Sequence, residues 1–202
     1  MCSLATIALA ACGSSAGRRP TLATNTTVRS TAVSVSRVPA PLIAASAGNY
    51  YFTYSNLKPY SDVTIAAVVV TNRGHDPISF LSTTPVALRN LRFVGGRIAD
   101  AHLVSPGTYR AFPPRGLDGR ALPLYEPRAF RALRSGDSAL LLLGLSLAGT
   151  TPGTISGVEV IYRAGGHQYR AKFREVTLLC PGNANSRGDC ATALADARAV
   201  KD

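Results

Sequence analysis

The amino-acid sequence predicts an all-β chain built as an antiparallel β-sandwich, on three observations. Short apolar runs alternate with stretches rich in Gly, Pro, Asn and Asp, the pattern of strands joined by tight turns. Almost no stretch repeats with the period of an amphipathic helix. One segment, 157–173, folds back on itself in a single register that satisfies both of its faces.

The first element along the chain is not a strand. LATIALAACGSS, residues 4–15, is a short apolar run that stops at a cysteine and turns small and polar. Its apolar part, Ser3 to Ala11, has nine residues, against about 20 needed to span a bilayer. The small residues at its end are those of a secretory signal. Leu9-Ala10-Ala11-Cys12 resembles a bacterial lipobox. The resemblance implies that residues 1–11 are a lipoprotein signal peptide. It also implies that the Cys12 thiol receives a diacylglyceryl group and that cleavage before Cys12 leaves a palmitate-type lipid anchor. The alternative is a buried core helix or strand that ends in Cys. Such signals carry Lys or Arg ahead of the apolar core, whereas the first basic residues here are Arg18 and Arg19. The pattern therefore predicts a start upstream of Met1, and Cys2 reads as a signal-peptide residue. Residues 12–27 read as the lipidated cysteine and a flexible linker. Asn25-Thr26-Thr27 matches a glycosylation acceptor formally, which in a bacterial lipoprotein reads as chance. TAVSVSRV, 31–38, alternates with Val33 and Val35 on one side and is read as a first edge strand.

DVTIAAVVVTNRGHDPISF, 62–80, is the densest β signal. Val63, Ile65, Ala67 and Val69 are expected to point one way, Val68 and Val70 the other. A strand apolar on both faces is central and covered. Asn72 and Gly74 end it as turn residues, and Ile78 and Phe80 open the next strand. ALRNLRFVGG, 87–96, adds a short segment that Gly95-Gly96 is expected to close. SALLLLGLSLAG, 138–149, is too short to cross a membrane. Gly144 weakens a helix there, and turn chemistry flanks the run. It is read as a buried strand with Leu141, Leu143, Leu145 and Leu147 on one face.

GVEVIYRAGGHQYRAKF, 157–173, is the best-specified element. A two-residue turn at Gly165-Gly166 supplies the positive φ that such turns need. Tyr162 then faces Tyr169, Val160 faces Ala171 and Val158 faces Phe173, giving one apolar face. The other face pairs Arg163 with Gln168, Ile161 with Arg170, and Glu159 with Lys172. Further on, Cys180 and Cys190 enclose the nine residues PGNANSRGD. In an exported protein an even pair predicts a disulfide; two free thiols, or part of a metal site, are the alternatives. ATALADARAVKD, 191–202, reads as a short exposed helix. The sandwich domain is thus expected over 28–180, and a disulfide loop with a tail over 181–202.

The stretch Asp62 to Cys180 resembles an immunoglobulin-like β-sandwich through the VTIAAVVVTNRG strand and turn, the SGDSALLLLGLSL strand and the terminal hairpin. The chain has no Trp, so the Cys…Trp…Cys pin of antibody domains is missing and no immune-type relationship is implied. The whole is similar to actinobacterial surface lipoproteins of unassigned role, a class that implies no catalytic residue.

Composition bounds the function. With 202 residues, 46% of them hydrophobic, the chain has enough material for one core. Net charge is +11, and only Lys58, Lys172 and Lys201 among its 22 basic residues are not Arg. A GC-rich genome favours Arg, so part of this basicity reflects codon usage. A positive protein near a bilayer is still drawn to anionic lipid. One Met argues against a thioether copper carrier. His75, His102 and His167 read as exposed loop residues without metal-ligand spacing. GLSLAG around Ser146 misses the nucleophile elbow at its last glycine. No phosphate-binding or dinucleotide motif occurs, and Glu126, Glu159 and Glu175 suggest no carboxylate dyad. The sequence therefore predicts no enzyme, no cofactor and no metal.

Two surface features remain. TYRAFPPRGLDGRALPLYEPRAFRALR, 108–134, carries Arg110, Arg115, Arg120, Arg128, Arg131 and Arg134, interleaved with Tyr109, Phe112, Tyr125 and Phe130. It is either a binding loop for an anionic surface or partner, where guanidinium pairs with phosphate or carboxylate, or a crossover whose aromatics cap the core while its arginines are merely solvated. Arg187-Gly188-Asp189 inside the cysteine loop forms an integrin-type adhesion triplet that reads as coincidence. The expectation is a lipid-anchored binding or adaptor protein on the extracytoplasmic face of a bacterial membrane. Its expected partners are an anionic lipid or envelope polymer and an envelope protein, with no nucleic acid. The alternative is an envelope small-ligand carrier or assembly factor, and less so an extracellular hydrolase.

Overall fold

The computed structural model describes residues 40–44, 50–182, 190–193 and 195–196. Cys12 and the lipobox, the 12–27 linker, the 31–38 strand and the Arg187-Gly188-Asp189 triplet lie outside the described residues. The strands are β1 (Leu42–Ala44), β2 (Tyr50–Leu57), β3 (Asp62–Asn72), β4 (Ser79–Val86), β5 (Leu91–Asp100), β6 (Gly107–Tyr109), β7 (Ser138–Leu147), β8 (Gly153–Ala164) and β9 (His167–Pro181). One sheet runs β1-β3-β7-β5, and the other β2-β9-β8-β4. Lettered in chain order with β1 and β2 as a split first strand, and with β6 set aside, these are the A-B-E-D and A′-G-F-C sheets of an immunoglobulin-like sandwich. The expected fold class is present. One pair departs from antiparallel order: β2 runs parallel to β9, Tyr50 opposite Glu175.

The apolar side chains meet between the sheets. Val63, Ile65, Val68 and Val70 of β3 and Leu141, Leu143, Leu145 and Leu147 of β7 face Phe80, Val158, Val160 and Tyr162 of the other sheet in one core. The β7 expectation holds, and β7 is buried on its other face as well through Leu140 and Leu142. The β3 expectation does not. The register shifts between Ala66 and Val68, with one extra residue on β3. Such a bulge inverts the alternation beyond it, so Val68 and Val70 join Val63 and Ile65 inside, while Val69 packs on the opposite face.

Gly95-Gly96 does not close β5, which continues to Asp100. A second bulge, between Phe93 and Gly95, keeps Ile98 in the core after Leu91 and Phe93. Gly96 is where β5 crosses close to β4, and a Cβ there would overlap the Thr83 carbonyl. The hairpin forms in the expected register at all six pairs. Gly165 and Gly166 take φ of 55° and 79°, and Glu159 pairs with Lys172 and Arg170, each at 3.6 Å. Cys180 and Cys190 form the disulfide, with Cα atoms 6.0 Å apart. The described part of the tail, 190–193 and 195–196, is helical.

Candidate functional site

The Arg-bearing segment is neither free nor a plain crossover. It is a cover laid on the outer face of the β3-β7-β5 sheet. β6 pairs with Thr64–Ala66 of β3, on the same side that β1 occupies further along. Tyr109, Leu122 and Leu124 pack on Ala66, Ala99, Leu140 and Leu142. Tyr125 bridges Ile98 at the free edge of β5. A 3-10 turn, Pro127–Ala129, leads to Phe130, which enters the central core and meets Phe80 edge to face at 5.8 Å. Capping by Tyr109, Leu122, Leu124 and Phe130 is therefore real.

Phe112 pins the cover. Thr64, Gly144 and Gly95 form one row across β3, β7 and β5. The two glycines leave a notch, and a Cβ on Gly144 would overlap the Phe112 ring, whereas one on Gly95 would sit 3.2 Å from it. Thr64 donates its hydroxyl to the Ala111 carbonyl. Arg97 stacks on the ring at 5.1 Å and pairs with Glu126 at 2.7 Å, tying two points of the cover to β5.

The six arginines separate by partner. Arg131 is a structural residue: it pairs with Asp100 at 2.9 Å and with Asp137 at 3.1 Å. The backbone N–H of His102, then Arg131, hold the Asp100 carboxyl below the usual carboxylate range. Arg120 stands 3.5 Å from Asp118. Arg110, Arg115, Arg128 and Arg134 are exposed, with no carboxylate partner among the described residues. The cover thus has an apolar underside and a cationic outer face.

Other chemistry is dispersed. His75, His102 and His167 are exposed, and Ser146 is buried within β7. No cluster of three or more His, Cys, Asp or Glu that could hold a metal occurs among the described residues. Two open clefts lie among the described residues. One, of about 350 Å³, lies between the β4–β5 turn, β8 and the terminal helix, where Arg89, Asn90, Ser156 and Asp196 surround Ile155 and Val176. The other, of about 360 Å³, lies at the β3–β4 loop beside Arg73, His75, Asp76 and Tyr169. Asn72 shapes that loop: its Nδ2 donates to the Asp76 and Leu133 carbonyls at 2.9 Å each, and its Oδ1 accepts from Gly74 N–H at 2.9 Å.

Sequence reasoning missed Glu175. Its carboxyl is buried in β9, only 3% exposed, and accepts a hydrogen bond from the Thr177 hydroxyl at 3.2 Å. Burial pushes it up to about 7, opposed by that hydrogen bond. The hairpin's alternation carries the signal: Glu175 follows Tyr169, Ala171 and Phe173 at period two on the apolar face, whereas the exposed Gln168, Arg170, Lys172 and Arg174 hold the other parity.

No helix among the described residues is long and apolar enough to cross a membrane. No family model matches the chain, and no curated protein matches it. Among the solved structures similar to the chain are the two that follow. One is the Vibrio cholerae VesB protease, 11% identical over 69% of this chain and 32% of that one, with a TM-score of 0.36. The chain therefore spans about a third of the protease. The other is the ASH/PapD-like domain 7 of human CEP192, 10% identical over 71% of this chain and 87% of that one, with a TM-score of 0.35.

Proposed function

We propose that the chain is a lipid-anchored binding or adaptor protein of the bacterial envelope, acylated at Cys12 and held on the extracytoplasmic face. It meets an anionic envelope component through the outer face of the 108–134 cover. One observation supports this most: Arg110, Arg115, Arg128 and Arg134 stand exposed and unpaired by carboxylates among the described residues, on a cover whose underside is packed. Guanidinium groups so placed suit phosphate or carboxylate oxygens. The Cys180–Cys190 disulfide is in keeping with an oxidising compartment.

Two measurements test the reading. Mass spectrometry of protein from its native cells is expected to find an amino terminus at Cys12 carrying diacylglycerol; an unmodified chain still beginning at Met1 overturns the anchor. Affinity capture with the lipidated protein, with Cys12→Ala as control, is expected to lose its membrane partners when Arg110, Arg115, Arg128 and Arg134 are changed to Glu. Retention of the same partners overturns the Arg face. A second reading, an envelope small-ligand carrier or assembly factor, draws on the cleft where Arg89, Asn90, Ser156 and Asp196 converge over an apolar floor.

A further inference from the structure

We propose that the 115–121 hairpin of the cover is a membrane-inserting tip. Leu117 enters the acyl boundary of an anionic phospholipid bilayer while Arg115 and Arg120 engage the headgroup phosphates. This rests on the anionic-surface reading above and names that surface as a bilayer.

The tip is preformed. Arg115 bridges Ala121. Gly116 N–H donates to the Arg120 carbonyl at 2.9 Å, and Gly119 N–H to the Gly116 carbonyl at 2.9 Å. Arg120 N–H donates to Asp118 Oδ1 at 3.0 Å. Gly119 supplies the positive φ, 76°, that the turn requires. Leu122 lies under Gly116 and packs on the outer face of the sheet, so the hairpin stands on the fold. Leu117 at its apex is fully exposed, at 113% of the reference area.

A single exposed Leu is ordinary. This one differs in two respects. Its backbone is already held by the turn, so inserting it orders little that was free. Cations flank it on both sides, at the level where headgroups surround an inserted apolar side chain. The acidic residue of the tip, Asp118, stands 3.5 Å from Arg120 and cancels one of the two cations, so the tip keeps a net charge of +1. Charge complementarity therefore favours an anionic bilayer over a neutral one. The acyl anchor at Cys12 retains the protein at the membrane, and the tip sets which face of the domain the membrane sees.

The chain has no Trp, so Leu117→Trp installs a single tryptophan reporter at a fully exposed position. The experiment uses the full chain, oxidised and carrying Cys12→Ala to remove the anchor, with vesicles of phosphatidylglycerol and phosphatidylcholine or of phosphatidylcholine alone. The expected result is a blue shift of Leu117→Trp on the anionic vesicles, quenched by brominated acyl chains, and no shift on the neutral ones. Leu117→Ser is expected to weaken partitioning roughly tenfold. Binding to anionic vesicles with unshifted, unquenched emission overturns the tip and leaves the Arg-face reading standing. Failure of every form to bind anionic vesicles also overturns the tip, while the capture experiment above decides the Arg face separately.

Discussion

Glu175 holds a carboxyl where water does not reach it, and its titration links directly to stability. Burial raises its folded-state value from 4.5 to about 7. Between those values the folded chain binds more protons than the unfolded one, so stability falls as pH rises through that window. The full effect is on the order of 3 kcal/mol. Glu175→Gln keeps an acceptor for the Thr177 hydroxyl and removes the charge. Urea melts are expected to show the variant about 3 kcal/mol more stable than the parent at pH 8 and little changed at pH 4.5. An equal difference at both pH values would mean that the side chain's shape, and not its charge, sets the effect. The same position shows where residue-level reading stops. Glu159 could be assigned a partner because the hairpin register put Lys172 opposite it. Glu175 lies within a register shift, where it and Val176 fall between the pairs Gly157–Arg174 and Ile155–Thr177; period two from Phe173 puts it on the buried face, and only its residue type reads as surface.

At the scale of elements, the notch that receives Phe112 makes a sharp prediction. Glycine in a strand interior costs roughly 0.5–1 kcal/mol relative to alanine, so Gly144→Ala would stabilise β7 were its outer face open. The Phe112 ring occupies that space, and overpacking of this kind costs typically about 1–3 kcal/mol. Gly144→Ala is therefore expected to destabilise by about 1–2 kcal/mol, and Gly95→Ala, with a Cβ 3.2 Å from the ring edge, by less. In a Phe112→Ala background the sign should reverse, with Gly144→Ala neutral or stabilising. A double-mutant cycle by denaturant unfolding that finds additivity would refute the notch. Sequence reading treated these glycines as a strand end at Gly95-Gly96 and as a helix-weakener at Gly144, because a glycine opposite a ring 32 residues away in the chain looks like any other. The Gly165-Gly166 hairpin was legible in full since its two strands adjoin: the turn sets the register and the register sets every pair. In β3 the bulge between Ala66 and Val68 falls in an unbroken apolar run, where either parity would have looked buried. The cover was half legible. Leu122 and Leu124 alternate around Pro123 as an edge segment would, but only the folded sheet reveals the apolar face of Ala66, Ala99, Leu140 and Leu142 that they seal.

For the whole molecule, the question is whether attraction to an anionic surface comes from the overall charge of +11 or from one face. Overall charge acts over a screening length of about 10 Å at 0.1 M salt, which shrinks to about 3 Å at 1 M. A contact face acts through the arginines that touch the surface. Two triple variants separate the cases: Arg110, Arg115 and Arg128 to Glu on the cover, and Arg73, Arg89 and Arg163 to Glu elsewhere on exposed positions. Both lower the formal charge from +11 to +5, two units per substitution. If the cover is the contact face, the first set abolishes binding of the unanchored chain to anionic vesicles and flattens its salt dependence. The second set then weakens binding modestly and leaves the salt slope close to the parent's. Equal loss from both sets would assign the attraction to net charge and remove the face. Leu117→Ser supplies the complementary control, because transfer of an apolar side chain does not depend on ionic screening. It should lower affinity by one factor at every salt concentration, a parallel displacement where the cover arginines change the slope. The cationic face and the apolar tip can thus be told apart in one titration.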